Sequence, residues 1–84
     1  MNYSFPHGNV NTVKDIGHMV RLERKKQGLS QADFAALCGV GVRFVSDLEN
    51  GKPTIELAKT LQVLRALGLE CCIAPRQWPK DRAQ

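Results

Sequence analysis

The stretch QADFAALCGVGVRFVSDLENG, residues 31–51, decides how the rest of the chain reads. Ser30 just before it is a good N-cap and Asp33 stands three residues on, so a short helix is expected over Gln31–Cys38. Gly39-Val40-Gly41 punctuates that helix, and a second one is expected from about Val42 to Glu49, closed by Asn50-Gly51. Two helices that meet steeply through a turn of three or four residues need a small residue where they cross. Ala35 stands there, four residues after Gln31. The turn also needs a residue that tolerates positive φ, and Gly39 supplies it four residues later. Packing one helix on the other requires apolar positions, which Phe34, Cys38, Val40, Val45 and Leu48 provide, Cys38 as a small hydrophobe.

On the N-terminal side, Thr12 three residues before Asp15 is a capping-box-like start for a helix over Val13 to about Lys26. Val13, Ile16, Met19 (or Val20) and Glu23 mark one helical face, and Arg21, Arg24, Lys25 and Lys26 the opposite one. Gly28 after the cationic last turn is a stop signal. On the C-terminal side, Lys52-Pro53 continues the loop, and Thr54 is expected to cap a helix from Ile55 to about Leu67. Leu57, Leu61 and Leu64 should face one way along it, with Val63 and Leu67 alongside, and Gly68 should end it.

Leu69–Ala74 is apolar and partly alternating, which suits one short strand ended by Pro75. A lone strand has unpaired backbone donors and acceptors that want a partner. The same strand in a second copy is the simplest supplier, so a homodimer is expected. Residues 1–11, with Pro6, Gly8 and three Asn, read as a flexible arm, and 75–84 as a flexible polar tail around a domain at 12–74.

Eighty-four residues are room for one domain with a modest core. The formal net charge of +4 suits a polyanion, although many small domains are as basic, so the charge needs a motif beside it. Three cysteines are an odd number, which argues against a disulfide framework, and no Cys/His spacing suggests a metal. The polar start MNYSFPHGN resembles neither a signal peptide nor a membrane anchor, so a reduced, cytoplasmic setting away from any membrane is expected. No Ser/His/Asp set, phosphate-cradling Gly loop or paired carboxylates stand out, so neither catalysis nor a cofactor is expected.

From about Val13 to Gly68 the chain resembles the helix-turn-helix proteins of the phage lambda repressor, or Cro/C1-type (XRE), family. The resemblance is carried by a helix ending before Gly28-Leu29-Ser30-Gln31, by Ala35 with Gly39, and by Leu48-Glu49-Asn50-Gly51. It implies an all-α bundle of four to five helices whose second motif helix reads double-stranded DNA. Within that family the chain is most similar to the HipB-type antitoxins paired with HipA-type kinase toxins. These follow the helical domain with a short strand that pairs across the dimer, the place Leu69–Ala74 occupies. The resemblance then implies a type II antitoxin that represses its own operon at a palindromic operator and binds a HipA-like kinase. A stand-alone XRE-type repressor and a protein-interaction module that leaves DNA alone are the alternatives.

The N-terminal part of a recognition helix enters the major groove. Val42, Arg43 and Ser46 are therefore the expected base contacts, Arg43 through guanine O6 and N7 and Val42 through a thymine methyl. The bland alternative for Arg43 is a solvated charge or a phosphate contact. Gln31, Gly41, Lys52 and Arg21 are the expected phosphate contacts, Gly41 through backbone only, because it lacks the side chain of the Ser or Thr that relatives often carry there. Asp47 repels phosphate and at most orients Arg43. Glu49 is expected to pair structurally with Arg24 or Arg21. Leu69, Cys71, Cys72 and Ile73 are the dimerisation residues. The two cysteines read either as small apolar strand residues or as a redox site. Trp78 is a candidate toxin contact, with folding back onto the domain as its alternative.

Overall fold

A computed structural model describes residues 8–75. Four α-helices follow one another: α1 (Val13–Lys26), α2 (Gln31–Cys38), α3 (Val42–Glu49) and α4 (Leu57–Ala66). The first three have the bounds that the caps and glycines foretold. Thr12 closes a full capping box on α1: its hydroxyl accepts the Asp15 N–H, while the Asp15 carboxylate accepts the Thr12 N–H. Ser30 caps α2 by accepting the Asp33 N–H at 3.0 Å. Gly39 ends α2 at φ 74, in the left-handed region that a side chain would strain.

The core is one cluster of Val20, Phe34, Ala35, Cys38, Val45, Leu48, Val63 and Leu64, all buried. α3 packs on both α1 and α2, and α4 closes against α2. Ala35 is buried in this core, and α2 and α3 pack on each other, which a small residue on α2 favours. Gln62 of α4 donates to the carbonyls of Cys38 and Gly39 at 2.7 and 3.3 Å, so α4 holds the turn between the motif helices. These are carbonyls that the end of α2 leaves without helical partners.

Three expectations are corrected. α4 begins at Leu57 after an N-cap at Glu56, not at Ile55 after Thr54, and it ends at Ala66. The Ile55 N–H closes a turn onto the Lys52 carbonyl at 3.1 Å, which uses that donor before the helix can start. Its buried face is Thr60, Val63 and Leu64, while Leu57 is 65% exposed and Leu61 half-buried. On α1, of the two positions left open, Val20 is the fully buried one, and the correction is that the buried line ends on Arg24 instead of running through Glu23.

The third correction concerns Leu69–Ala74, which forms no strand within the described chain. Leu69 is still tied to α4, its N–H donating to the Leu64 carbonyl at 2.9 Å. From Glu70 to Pro75 the chain is exposed and makes no backbone hydrogen bond among the described residues. A strand is defined by its ladder, and the described residues offer this segment no second strand.

Candidate nucleic-acid interface

α3 divides cleanly. Val45 and Leu48 are buried, and on the opposite side Val42, Arg43 and Asn50 are exposed, with Ser46 and Asp47 half-exposed between them. At 100° per residue, positions 42, 43, 46, 47 and 50 fall on one face. The structure thus brings Val42, Arg43 and Ser46 together at the outward, N-terminal part of the helix. Val42 is 50% exposed, an open apolar side chain beside a cation. Gly41 precedes them as the N-cap, exposed, with no side-chain cap for the first turn. A Cβ there would meet open space, so Gly41 is not demanded by packing.

The tilt of α3 is fixed by a charged cluster beneath it. Arg24 donates from Nε and Nη2 to the two Glu49 carboxylate oxygens at 2.7 and 3.0 Å, a bidentate pair. Its third bond, from Nη1 to the Leu29 carbonyl at 2.7 Å, reaches the α1–α2 turn. Gln31, the first residue of α2, donates its amide to Glu49 Oε1 at 3.0 Å. The Arg24 and Glu49 side chains are only 9% and 3% exposed. One buried cluster therefore joins the end of α1, the start of α2 and the end of α3. Burial pushes the Glu49 carboxyl up, but the Arg24 and Gln31 hydrogen bonds, with the charges of Arg24 and Arg21, outweigh it and hold the group below its ordinary value. The same Glu49 contacts push the Arg24 guanidinium up against its own desolvation.

Arg24 is the direct partner of Glu49, and Arg21 lies exposed nearby, adding only its charge. The cationic face of α1 thus loses Arg24 to the core and keeps Arg21, Lys25 and Lys26 in the open. Gln31 is half-buried, and its amide is turned inward because a carboxylate accepts only from the NH2 end. Lys52 is exposed just past α3; its Nζ lies 3.7 Å from Asp47 Oδ2, so the neighbour of Asp47 is Lys52 rather than Arg43. A pair that open is worth about 0–1 kcal/mol and leaves Lys52 available to a stronger anion. Cys71, Cys72 and Ile73 are exposed and Leu69 half-buried. Trp78 lies outside the described residues.

Gly17 carries a role that the sequence reading passed over. It is buried in the middle of α1, where a Cβ would overlap the Leu48 carbonyl oxygen and stand 3.1 Å from Glu49 Cα. The available signal was an interior glycine in an otherwise amphipathic helix. No helix among the described residues is long and apolar enough to cross a membrane.

Two short helices joined by a three-residue turn, the second with its outward face bare and its inward face clamped, define a helix-turn-helix protein. The chain belongs to the helix-turn-helix family, of XRE type, whose model matches residues 20–72, and so to the DNA-binding transcriptional regulators rather than to the enzymes. It is 52% identical over 59 residues to an uncharacterized HTH-type transcriptional regulator, y4mF, of Sinorhizobium fredii, a match covering 70% of this chain and 78% of that one. Among solved structures, it is similar to the restriction-modification controller protein C.AhdI from Aeromonas hydrophila (31% identity, TM-score 0.60, 69% of this chain and 84% of that one). It also shares its fold with a chain of a HipA-HipB-O2-O3 complex and one of a HipB-O4 20mer complex. Each has TM-score 0.73 at 19% identity, covering 82% of this chain and 97% of the other.

Proposed function

We propose that this regulator is a dimeric antitoxin that represses its own operon and binds a HipA-like kinase toxin. The observation that carries the DNA-reading half is the bare face of α3, with Val42, Arg43 and Ser46 outward over a helix that Arg24 and Glu49 hold in place. Arg43 reads a guanine, Val42 meets a thymine methyl and Ser46 bonds a base edge. Gln31, Gly41, Lys52 and Arg21 set the register on phosphates, with Gln31 and Gly41 acting through backbone N–H groups at helix starts. Two copies joined through Leu69, Cys71, Cys72 and Ile73 present two α3 helices to the halves of a palindrome, about one helical turn or a multiple apart.

The antitoxin half is supported by the likeness to the HipB chains, one of them in a complex with HipA, over nearly their whole length. The stand-alone repressor is the second reading, favoured by the relative described simply as a transcriptional regulator and by the controller protein. Co-expression with a kinase-like reading frame, where one directly follows its gene, and size-exclusion chromatography of the products separate the two. Co-elution as one complex is the antitoxin result; separate elution with operator binding intact leaves the plain repressor.

Two substitutions test the reading head by gel shift on the chain's own promoter. Arg43→Ala is expected to cost about 1–3 kcal/mol on the operator and to relax preference at one base pair. Equal loss on operator and random duplex would remove Arg43 from base reading. Lys52→Ala should weaken every sequence alike and reduce the slope of log affinity against log salt by about one. An unchanged slope would return Lys52 to a solvated surface charge.

A further inference from the structure

The bare segment after α4 carries two adjacent thiols, Cys71 and Cys72, both free and exposed, and Ile73 beside them is 95% exposed. Pairing with a second copy is constrained by symmetry. In a parallel ladder each residue bonds to the neighbours of the one opposite, so the strands are not interchangeable; a two-fold pair must be antiparallel. In an antiparallel ladder, opposed pairs alternate between hydrogen-bonded and non-hydrogen-bonded. A two-fold axis cannot exchange two adjacent, unlike pairs. It must run through one pair, and the residue on it faces its own copy.

Only two registers keep a five-residue ladder around the axis within Leu69–Ala74. An axis at Cys71 pairs residues 69–73, and an axis at Cys72 pairs residues 70–74. An axis at Glu70 would set two carboxylates face to face, which is destabilising. An axis at Ile73 would shorten the ladder to residues 72–74 before Pro75, which cannot donate to it, sits at its end. In both surviving registers a cysteine opposes the same cysteine. Opposed Cα atoms are about 4.5 or 5.5 Å apart, inside the roughly 4.4–6.8 Å that a disulfide spans.

We infer that the dimer axis carries a cysteine pair, Cys71 with its copy or Cys72 with its copy, forming a disulfide site that locks the dimer covalently under oxidation. The inference rests on the pairing of Leu69–Ala74 proposed above. The oxidant is a low-molecular-weight disulfide such as oxidised glutathione. One axial thiolate attacks a sulfur of that disulfide and releases one thiolate, leaving a mixed disulfide. The axial thiolate of the second copy then attacks the protein sulfur and releases the other. Two protein thiols become one disulfide, the oxidant becomes two thiols, and the two protons pass from the former to the latter. The covalent dimer cannot dissociate on dilution, so oxidation favours operator occupancy at low protein concentration.

The test uses the full chain and its C71S and C72S variants. Light scattering in reductant is read first, then non-reducing electrophoresis after oxidised glutathione. The expected result is a dimer in reductant and a covalent dimer in the parent chain, lost in one single variant and kept in the other. The variant that loses it names the axial residue. A dimer that stays non-covalent, with glutathione adducts alone by mass spectrometry, would overturn the site while leaving the dimer standing. Cross-linking retained in both variants would mean that the segments meet in no fixed register, and would overturn it as well. A monomer in reductant would remove the pairing itself, and the site with it.

Discussion

Replacing Glu49 with alanine is expected to cost about 3–5 kcal/mol, the usual penalty for removing one partner of a buried pair. Glu49 answers three donors, two from Arg24 and one from Gln31, and its loss strands a guanidinium only 9% exposed. A domain of this size has on the order of 5 kcal/mol in hand, so the variant should keep only about 0–2 kcal/mol at 25 °C. Urea denaturation followed by circular dichroism reads the difference. The double variant Arg24→Met/Glu49→Leu should recover most of it, because apolar side chains of similar volume replace a buried pair at little cost. A single variant as stable as the parent would show that the cluster contributes nothing.

The same pair sets a pH dependence with a definite sign. The folded Glu49 carboxyl sits below its unfolded value, so its contribution is complete above about pH 5 and fades as pH falls through the folded value. Asp15 behaves likewise, held low first by the Asn11 N–H at 2.9 Å and then by Thr12. Glu49→Gln, which keeps the shape and one acceptor, should therefore flatten the acid limb of the stability curve only in part. An acid limb identical to the parent's would remove Glu49 from the linkage.

What was legible in the residues and what was not follows one physical line. Local signals placed α1, α2 and α3, because Thr12, Ser30 and Gly39 act on backbone groups within four residues of themselves. The start of α4 is not legible locally, because Thr54 carries the chemistry of a cap, yet the loop there spends the Ile55 N–H on Lys52. The outward face of α3 was legible from period alone, since Val45 and Leu48 bury one side and leave Val42, Arg43 and Ser46 on the other. The partner of Glu49 was narrowed to Arg21 or Arg24 but not decided. One turn of α1 separates burial from exposure, and only the tilt of α1 on α3 selects between them. The hold of Gln62 on the turn was invisible for the same reason, since it joins residues 24 and 23 positions apart through side-chain reach. Leu69–Ala74 shows the converse: alternation marks a segment fit for pairing, but a ladder needs a second strand, and none lies among the described residues.

Gly17→Ala is expected to be strongly damaging for a change of a single methyl group. On propensity alone it should help, because alanine is favoured over glycine inside a helix by about 1 kcal/mol. Packing opposes that. The added Cβ falls onto the Leu48 carbonyl oxygen and within 3.1 Å of both Glu49 C and Glu49 Cα, which are backbone atoms with no rotamer to escape into. Relief requires α3 to move off α1, yet Arg24 and Glu49 bind those two helices together beside the contact. Overpacking of this kind costs about 1–3 kcal/mol and sometimes more. With both helices pinned, the upper part of that range should apply, leaving a net loss near 2 kcal/mol after the propensity gain. For so small a domain each kcal/mol moves Tm by about 4–8 °C, so a fall of roughly 8–16 °C is the expected result of a thermal melt. His18→Ala, an exposed neighbour on the same helix, should shift Tm by far less and serves as the control. Because any relief displaces α3, operator affinity should also fall in the fraction that remains folded, which stability loss alone would not produce. A Gly17→Ala chain that melts at or above the parent temperature would mean that α1 and α3 do not approach as closely as the buried Gly17 implies.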